Sequence, residues 1–158
     1  MSGRPFVVRE FIRWSDVDLM GIIRYDAYTR FYELAESELW RAIGVPHSAF
    51  LERFGIMLPR CVMHVDYVSS PVLDERLEVR TYVSQVGTTS LTLNFDIYGA
   101  AGMLRSKGYL LLVCVEADVR NITKRPWPEE FIRLLEPYRM SVEAARGVEA
   151  ATQPRSSV

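Results

Sequence analysis

The chain has 158 residues, 49% of them hydrophobic and 25% charged, with 19 lysines and arginines against 20 aspartates and glutamates. That length suits one domain with a proper core, and a net charge of -1 gives no general electrostatic reason to bind nucleic acid or a membrane surface. The longest apolar run, "YLLLVCV", is too short to span a bilayer, "MSGRPFVVREF" lacks the pattern of a signal peptide, and Cys61 and Cys114 show no metal spacing, so a reducing cytoplasm is the expected compartment.

Residues 6–14, "FVVREFIRW", predict a first strand, rich in Val, Ile, Phe and Trp. Residues 27–43 predict a helix. Tyr28, Phe31, Tyr32, Ala35, Leu39 and Ala42 recur at steps of three and four and make one broad apolar face, while Thr29, Arg30, Glu33, Glu36 and Arg41 fall elsewhere on a solvated one. Gly44 and Pro46 end it. A second short helix is expected over His47 to Phe54, stopped near Gly55.

From Leu58 the period changes to two. "PRCVMHVDYVSSP", "ERLEVRTYVSQV" and "LTLNFDIY" each alternate. In the last, Leu91, Leu93, Phe95 and Ile97 face one way and Thr92, Asn94, Asp96 and Tyr98 the other. "GTTS" and "GAAG" mark turns. Tyr109 to Val115 is apolar at every position, as in a central strand covered on both faces. "PWPEEFIRLLEPYR" predicts a short closing helix with Pro128 near its first turn. The order is strand, helix, four strands and a small helix. That is an α+β arrangement, in which a five-stranded antiparallel sheet wraps one long central helix. Residues 1–140 form this domain. Residues 141–158 read as a mobile tail with at most a weak helix over Val142 to Ala151.

The stretch that points to chemistry is "WSDVDLMGIIRYDAY", residues 14–28. It sets two carboxylates and a glycine immediately before the helix. An aspartate there is ordinarily a turn or capping residue. It also lies beside the unsatisfied N–H groups and partial positive charge of a helix N-terminus, where an acyl carbonyl could be polarised.

This motif, with the element order, resembles the hot-dog fold thioesterases, and among them the 4-hydroxybenzoyl-CoA thioesterase and short acyl-CoA thioesterase group. Asp16, Asp18, Gly21, Ile22, Ile23, Tyr25 and Tyr28 fit the family pattern. "VDYVSSPVLDERLEV" and "GYLLLVCVEADVRNITKRPWPEEF" are similar to its later strands and closing helix, so the resemblance covers roughly residues 6 to 138. It departs at Leu19-Met20, where relatives carry small residues or Pro-Ala, at Tyr25, where many have His, at Ala27, where many have Asn or Ser, and at Val72, where many have Arg.

The resemblance implies an acyl-CoA thioester hydrolase. Asp18 is the expected nucleophile or general base, and the Tyr25 backbone N–H the donor to the carbonyl oxygen. Gly21, Ile22 and Tyr28 are expected substrate contacts, with Arg120 and Lys124 near the CoA phosphates. No metal or other cofactor is implied, since CoA is part of the substrate. A homodimer, built further into a dimer of dimers, is implied, with sites at the subunit boundary. Asp16 is expected to organise the turn. Two other functions stay open: a non-catalytic acyl-thioester binding protein, and a hot-dog 3-hydroxyacyl-thioester dehydratase, which needs a histidine that the motif lacks. His47 and His64 are isolated and read as structural.

Overall fold

The computed structural model describes residues 3–150. The chain enters as β1 (Phe6–Phe11), turns through a 3-10 segment at Trp14–Asp16 and forms the central helix α1 (Tyr28–Ala42). A single turn, α2 (His47–Ala49), runs into a wider π-helical turn at Phe50–Phe54 that ends on Gly55, and β2 (Ile56–Met57) follows. Then come β3 (Arg60–Tyr67), β4 (Arg76–Val86), β5 (Ser90–Tyr98), β6 (Leu104–Val113) and β7 (Val115–Glu116). The chain closes with α3 (Glu129–Leu135) and α4 (Val142–Ala150).

Five strands make one sheet in the order β1-β4-β5-β6-β3, and every neighbouring pair is antiparallel. The period-two alternation decides the faces. Leu91, Leu93, Phe95 and Ile97 of β5 are buried toward α1, and Tyr32 of the helix stacks on Phe95 with ring centroids 4.4 Å apart. The Tyr32 side chain of the helix also comes close to Gly108 of β6. A Cβ there would overlap both the Tyr32 hydroxyl and the His64 carbonyl oxygen. Trp40, Phe50, Phe131 and Trp127 form an aromatic cluster that plugs the far end of the helix with α3.

The structure departs from the sequence reading in four places. The first strand stops at Phe11, because Asp16 accepts the Arg13 N–H at 2.8 Å and folds the following residues into a turn, leaving Trp14 81% exposed. Glu36, placed on the solvated face of the helix, is 2% exposed: it accepts from Trp40 Nε1 at 3.1 Å and is ion-paired with Arg60. A second, two-stranded sheet, β2 with β7, has no counterpart in the reading. The expected weak helix near the C-terminus is α4, and its Arg146 reaches the buried Asp96 of β5 at 3.0 Å. Residues 151–158 of the expected tail lie outside the described residues.

Candidate active site

The site is a small hairpin-like loop between β1 and α1. Val17 and Ile23 bridge in antiparallel fashion, the Asp18 N–H donates to the Ile22 carbonyl at 2.9 Å, and the Gly21 N–H donates back to the Asp18 carbonyl at 3.0 Å. Gly21 sits at φ +75°, in the left-handed region where a Cβ is unfavourable. The loop is stitched to the sheet connection by an Ile22–Val72 bridge and by the Ile23 N–H donating to the Pro71 carbonyl at 3.1 Å. It is tied to α1 through Asp16. That carboxylate, 3% exposed, takes the Arg30 Nε proton at 2.8 Å as well as an Nη2 contact. Burial alone would raise the Asp16 pKa. Hydrogen bonds from Arg30 and the Arg13 N–H, with the two guanidinium charges, outweigh it and hold the group below the usual carboxylate range.

Asp18 is exposed and lines a cleft of about 470 Å³ with Trp14, Val17, Leu19 and Gly21. One of its oxygens, Oδ1, accepts the Met20 N–H at 2.8 Å, an Asx turn, and the other has no partner among the described residues. The helix that follows is open at its start. Ala27, in the N-cap position, contributes no side-chain hydrogen bond, and there is no acidic residue in the first turn. Just ahead of it the Tyr25 N–H meets no acceptor among the described residues. An uncapped helix start preceded by a free amide is a ready place for negative charge to develop on an acyl oxygen, and the loop that leads into it carries the Asp18 carboxylate.

The expected contacts separate into two groups. Asp18, Gly21 and Ile22 share the loop, and the Tyr25 backbone follows it. The Tyr25 side chain is exposed, and its carbonyl accepts from the Tyr67 hydroxyl at 3.1 Å. Tyr28 is buried, edge-on to Tyr67 with centroids 5.0 Å apart, and burial pushes its hydroxyl up to about 12, so it stays neutral. Arg120 and Lys124 lie elsewhere. They follow β7, beyond the Val113 end of β6, whereas the loop meets the sheet near its Leu104 end. Ten residues of strand, about 30 Å at ~3.3 Å each, lie between the two ends.

A second cleft, of about 500 Å³, runs between α1 and the edge strand β3 and includes Thr29, Glu33, Glu36, His47, Arg60 and Met63 in its lining. Glu36 and Arg60 meet across it from positions that carry no local signal, and sequence reasoning missed the pair. His47 is held below its ordinary pKa, first by burial and then by Arg60 and Arg41, against the pull of Glu36 and Glu33.

This fold recurs in known proteins. Residues 12–135 match the model of the thioesterase-like superfamily. The chain is 29% identical over 122 residues to the acyl-CoA thioester hydrolase YbgC of Escherichia coli O6:H1, covering 77% of this chain and 88% of that one. It is 23% identical over 107 residues to the putative acyl-CoA thioesterase YneP of Bacillus subtilis, covering 68% and 77%. Among solved structures, a mutant 4-hydroxybenzoyl CoA thioesterase complexed with 4-hydroxybenzoyl CoA superposes with a TM-score of 0.77 at 18% identity, covering 85% of this chain and all of that one. A 1,4-dihydroxy-2-naphthoyl-CoA thioesterase from Synechocystis does so with 0.75 at 16% identity, covering 83% and 95%. The sheet wrapped on α1, with the Asp18 loop at the helix start, is the hot-dog fold, and the chain belongs to the thioesterase-like superfamily.

Proposed function

We propose that this thioesterase hydrolyses acyl-CoA thioesters at the Asp18 loop, releasing a carboxylic acid and CoA. The single observation that carries the reading is a carboxylate with one uncommitted oxygen that lines a cleft, on the loop that leads into an uncapped helix start. The names of the curated relatives support the reaction class.

The chemistry follows from the groups present. The Tyr25 N–H donates to the thioester oxygen as negative charge builds there. In one route Asp18 takes a proton from water as the water oxygen bonds to the carbonyl carbon, the C–S bond breaks, and the proton passes to the departing thiolate. In the other, the Asp18 oxygen attacks the carbon directly, CoA leaves, and water then cleaves the anhydride. Either route expels a good leaving group and uses no metal or organic cofactor.

The site is completed by a second copy. Edge strand β3 is exposed along almost its whole length, with Val62, Met63 and Tyr67 at the surface. An unpaired edge of that kind invites another strand. Antiparallel pairing of β3 with its twin lays the Arg60 end of one copy beside the Tyr67 end of the other. The second copy's Arg120 and Lys124 then approach the first copy's Asp18 loop and meet the CoA phosphates there. Dimers of this kind pair again into tetramers. No helix among the described residues is long and apolar enough to cross a membrane. The reading includes the reducing cytoplasm, in which the exposed Cys61 stays a thiol.

One observation favours a different reading. Asp18 Oδ1 is committed to the Met20 N–H, as in an ordinary turn, which would suit an acyl-thioester binding protein without turnover. The dehydratase reading draws no support, since no histidine lines the Asp18 cleft. Release of free thiol from a panel of acyl-CoA substrates decides between hydrolysis and binding. Asp18→Asn should keep the fold and lower turnover at least about a hundredfold. Undiminished hydrolysis by that variant refutes the assignment, and tight binding with no thiol released establishes the second reading.

A further inference from the structure

We infer that the cleft walled by Trp14 and Leu19 receives the acyl group itself, and that it selects uncharged, apolar acyl groups over those that carry a carboxylate. The inference rests on the reading of Asp18 as the hydrolytic carboxylate.

Its lining consists of Trp14, Val17, Leu19, Gly21 and Asp18. Three of these present apolar side chains, one presents none, and the only ionisable group among the described residues of the lining is an acid. No lysine, arginine or hydroxyl side chain among the described residues lines the space. An acyl group ending in a second carboxylate would meet the charge of Asp18 with no cation in the cleft lining to offset it, the second copy's Arg120 and Lys124 being engaged by the CoA phosphates outside. The CoA phosphates face the same repulsion, so the nucleotide lies outside this cleft and the uncharged end of the substrate lies within it. The volume, about 470 Å³, is within the range of small-molecule sites.

The two walls are not there to hold the fold. Trp14 is 81% exposed and Leu19 wholly so, and neither belongs to the core cluster. Single exposed apolar residues need no explanation, but here Trp14, Leu19 and Met20, with the Tyr25 ring, all stand exposed within twelve residues of chain, and Trp14 and Leu19 line one cleft with Asp18. The backbone beneath them is fixed. Trp14 begins the turn that Asp16 closes by accepting from Arg13 and Arg30. Leu19 is held in a turn by the Met20 N–H on Asp18 Oδ1 and the Gly21 N–H on the Asp18 carbonyl. Gly21 forms an open floor: a Cβ there would find nothing within 4 Å. A pinned backbone keeps the two walls in place beside Asp18, and their exposed side chains order when an apolar group binds.

The experiment measures kcat/KM for acetyl-, hexanoyl-, benzoyl- and succinyl-CoA with the wild type and with Trp14→Ala, Trp14→Phe and Asp18→Asn, circular dichroism confirming each fold. The wild type should favour hexanoyl- and benzoyl- over succinyl-CoA by at least about tenfold. Trp14→Ala should lose at least about tenfold more on benzoyl- than on acetyl-CoA, and Trp14→Phe should restore most of that ratio. An equal loss on every substrate makes Trp14 a support of the turn and overturns the inference, as does succinyl-CoA turned over as well as hexanoyl-CoA. Asp18→Asn separates the two claims. If it hydrolyses normally while Trp14→Ala still loses selectively, the acyl cleft stands and the role of Asp18 falls. If it is dead while Trp14→Ala is unselective, the reverse holds.

Discussion

Arg30 on the central helix holds Asp16 by its carboxylate, with Nε to Oδ1 at 2.8 Å, and through it suspends the whole loop that presents Asp18. The same guanidinium lies over the Phe31 ring, 4.3 Å from its centroid, and donates to the Phe11 carbonyl at 3.3 Å, so β1, the loop and α1 converge on one side chain.

Replacing Arg30 by methionine would leave the carboxylate of Asp16 buried without a countercharge. Breaking a buried pair from one side costs about 3–5 kcal/mol, and the low end applies because Arg30 is partly exposed. Urea unfolding should show a loss of about 3 kcal/mol, with thiol release falling as well because Asp18 loses its mounting. Unchanged stability would mean that the loop is held by the Ile22–Val72 and Val17–Ile23 bridges alone.

Stability should fall in acid. Asp16 and Glu75 are each pushed upward by burial and pulled further down by their partners, which for Glu75 are the Ala100 and Val72 N–H groups and Arg105. Glu78 behaves in the same way between Arg80 and Arg9. A carboxyl whose folded pKa lies below its unfolded value stabilises the fold above the unfolded value, and that contribution disappears as pH falls through the folded one. The melting temperature should therefore be level from neutral pH down to about pH 5 and drop steeply below about pH 4. Arg105→Met should flatten the low-pH drop by removing the charge partner of Glu75.

Gly108 leaves room for Tyr32 of the helix, and alanine there would collide with the Tyr32 phenol and the β3 backbone. The Tyr32 hydroxyl is one of two buried side-chain polar atoms without a partner among the described residues. Overpacking of this kind costs about 1–3 kcal/mol. Gly108→Ala should lower the urea midpoint accordingly, and a neutral result would show that α1 can slide away from β6.

If β3 pairs with a second copy, a charge placed on it should break the pair. Met63→Arg puts a cation on that edge, where Met63 is 43% exposed in a single chain. Light scattering should give a dimer or larger for the wild type and a smaller species for the variant, with thiol release lost alongside. A wild type that is monomeric at working concentration and still hydrolyses substrate would end the shared-site proposal.

Much of this was legible in the sequence because the fold is written in local periodicity. The alternation of Leu91, Leu93, Phe95 and Ile97 against Thr92, Asn94 and Asp96 gave both the strand and its faces, and the three- and four-residue spacing from Tyr28 to Leu39 gave α1 and its buried side. The Asp18 motif could be read because its residues are close in the chain. What stayed hidden depends on partners far apart. Glu36 looked solvated until Arg60, 24 residues on, arrived beside it. Arg146 looked like part of a tail until Asp96, 50 residues earlier, claimed it. The two-residue strands β2 and β7 are too short to show any period.

The strand order has a consequence for how the chain is made. Strands β4, β5 and β6 follow one another and pair in succession, so each finds its neighbour soon after it leaves the ribosome. The outer strands do not. Phe6 must wait for Thr81 to be synthesised, and Arg60 for Leu112. Biosynthesis thus completes the middle of the sheet as a unit and adds its first-made strand, with the Asp18 loop behind it, from a nascent segment that has waited unpaired.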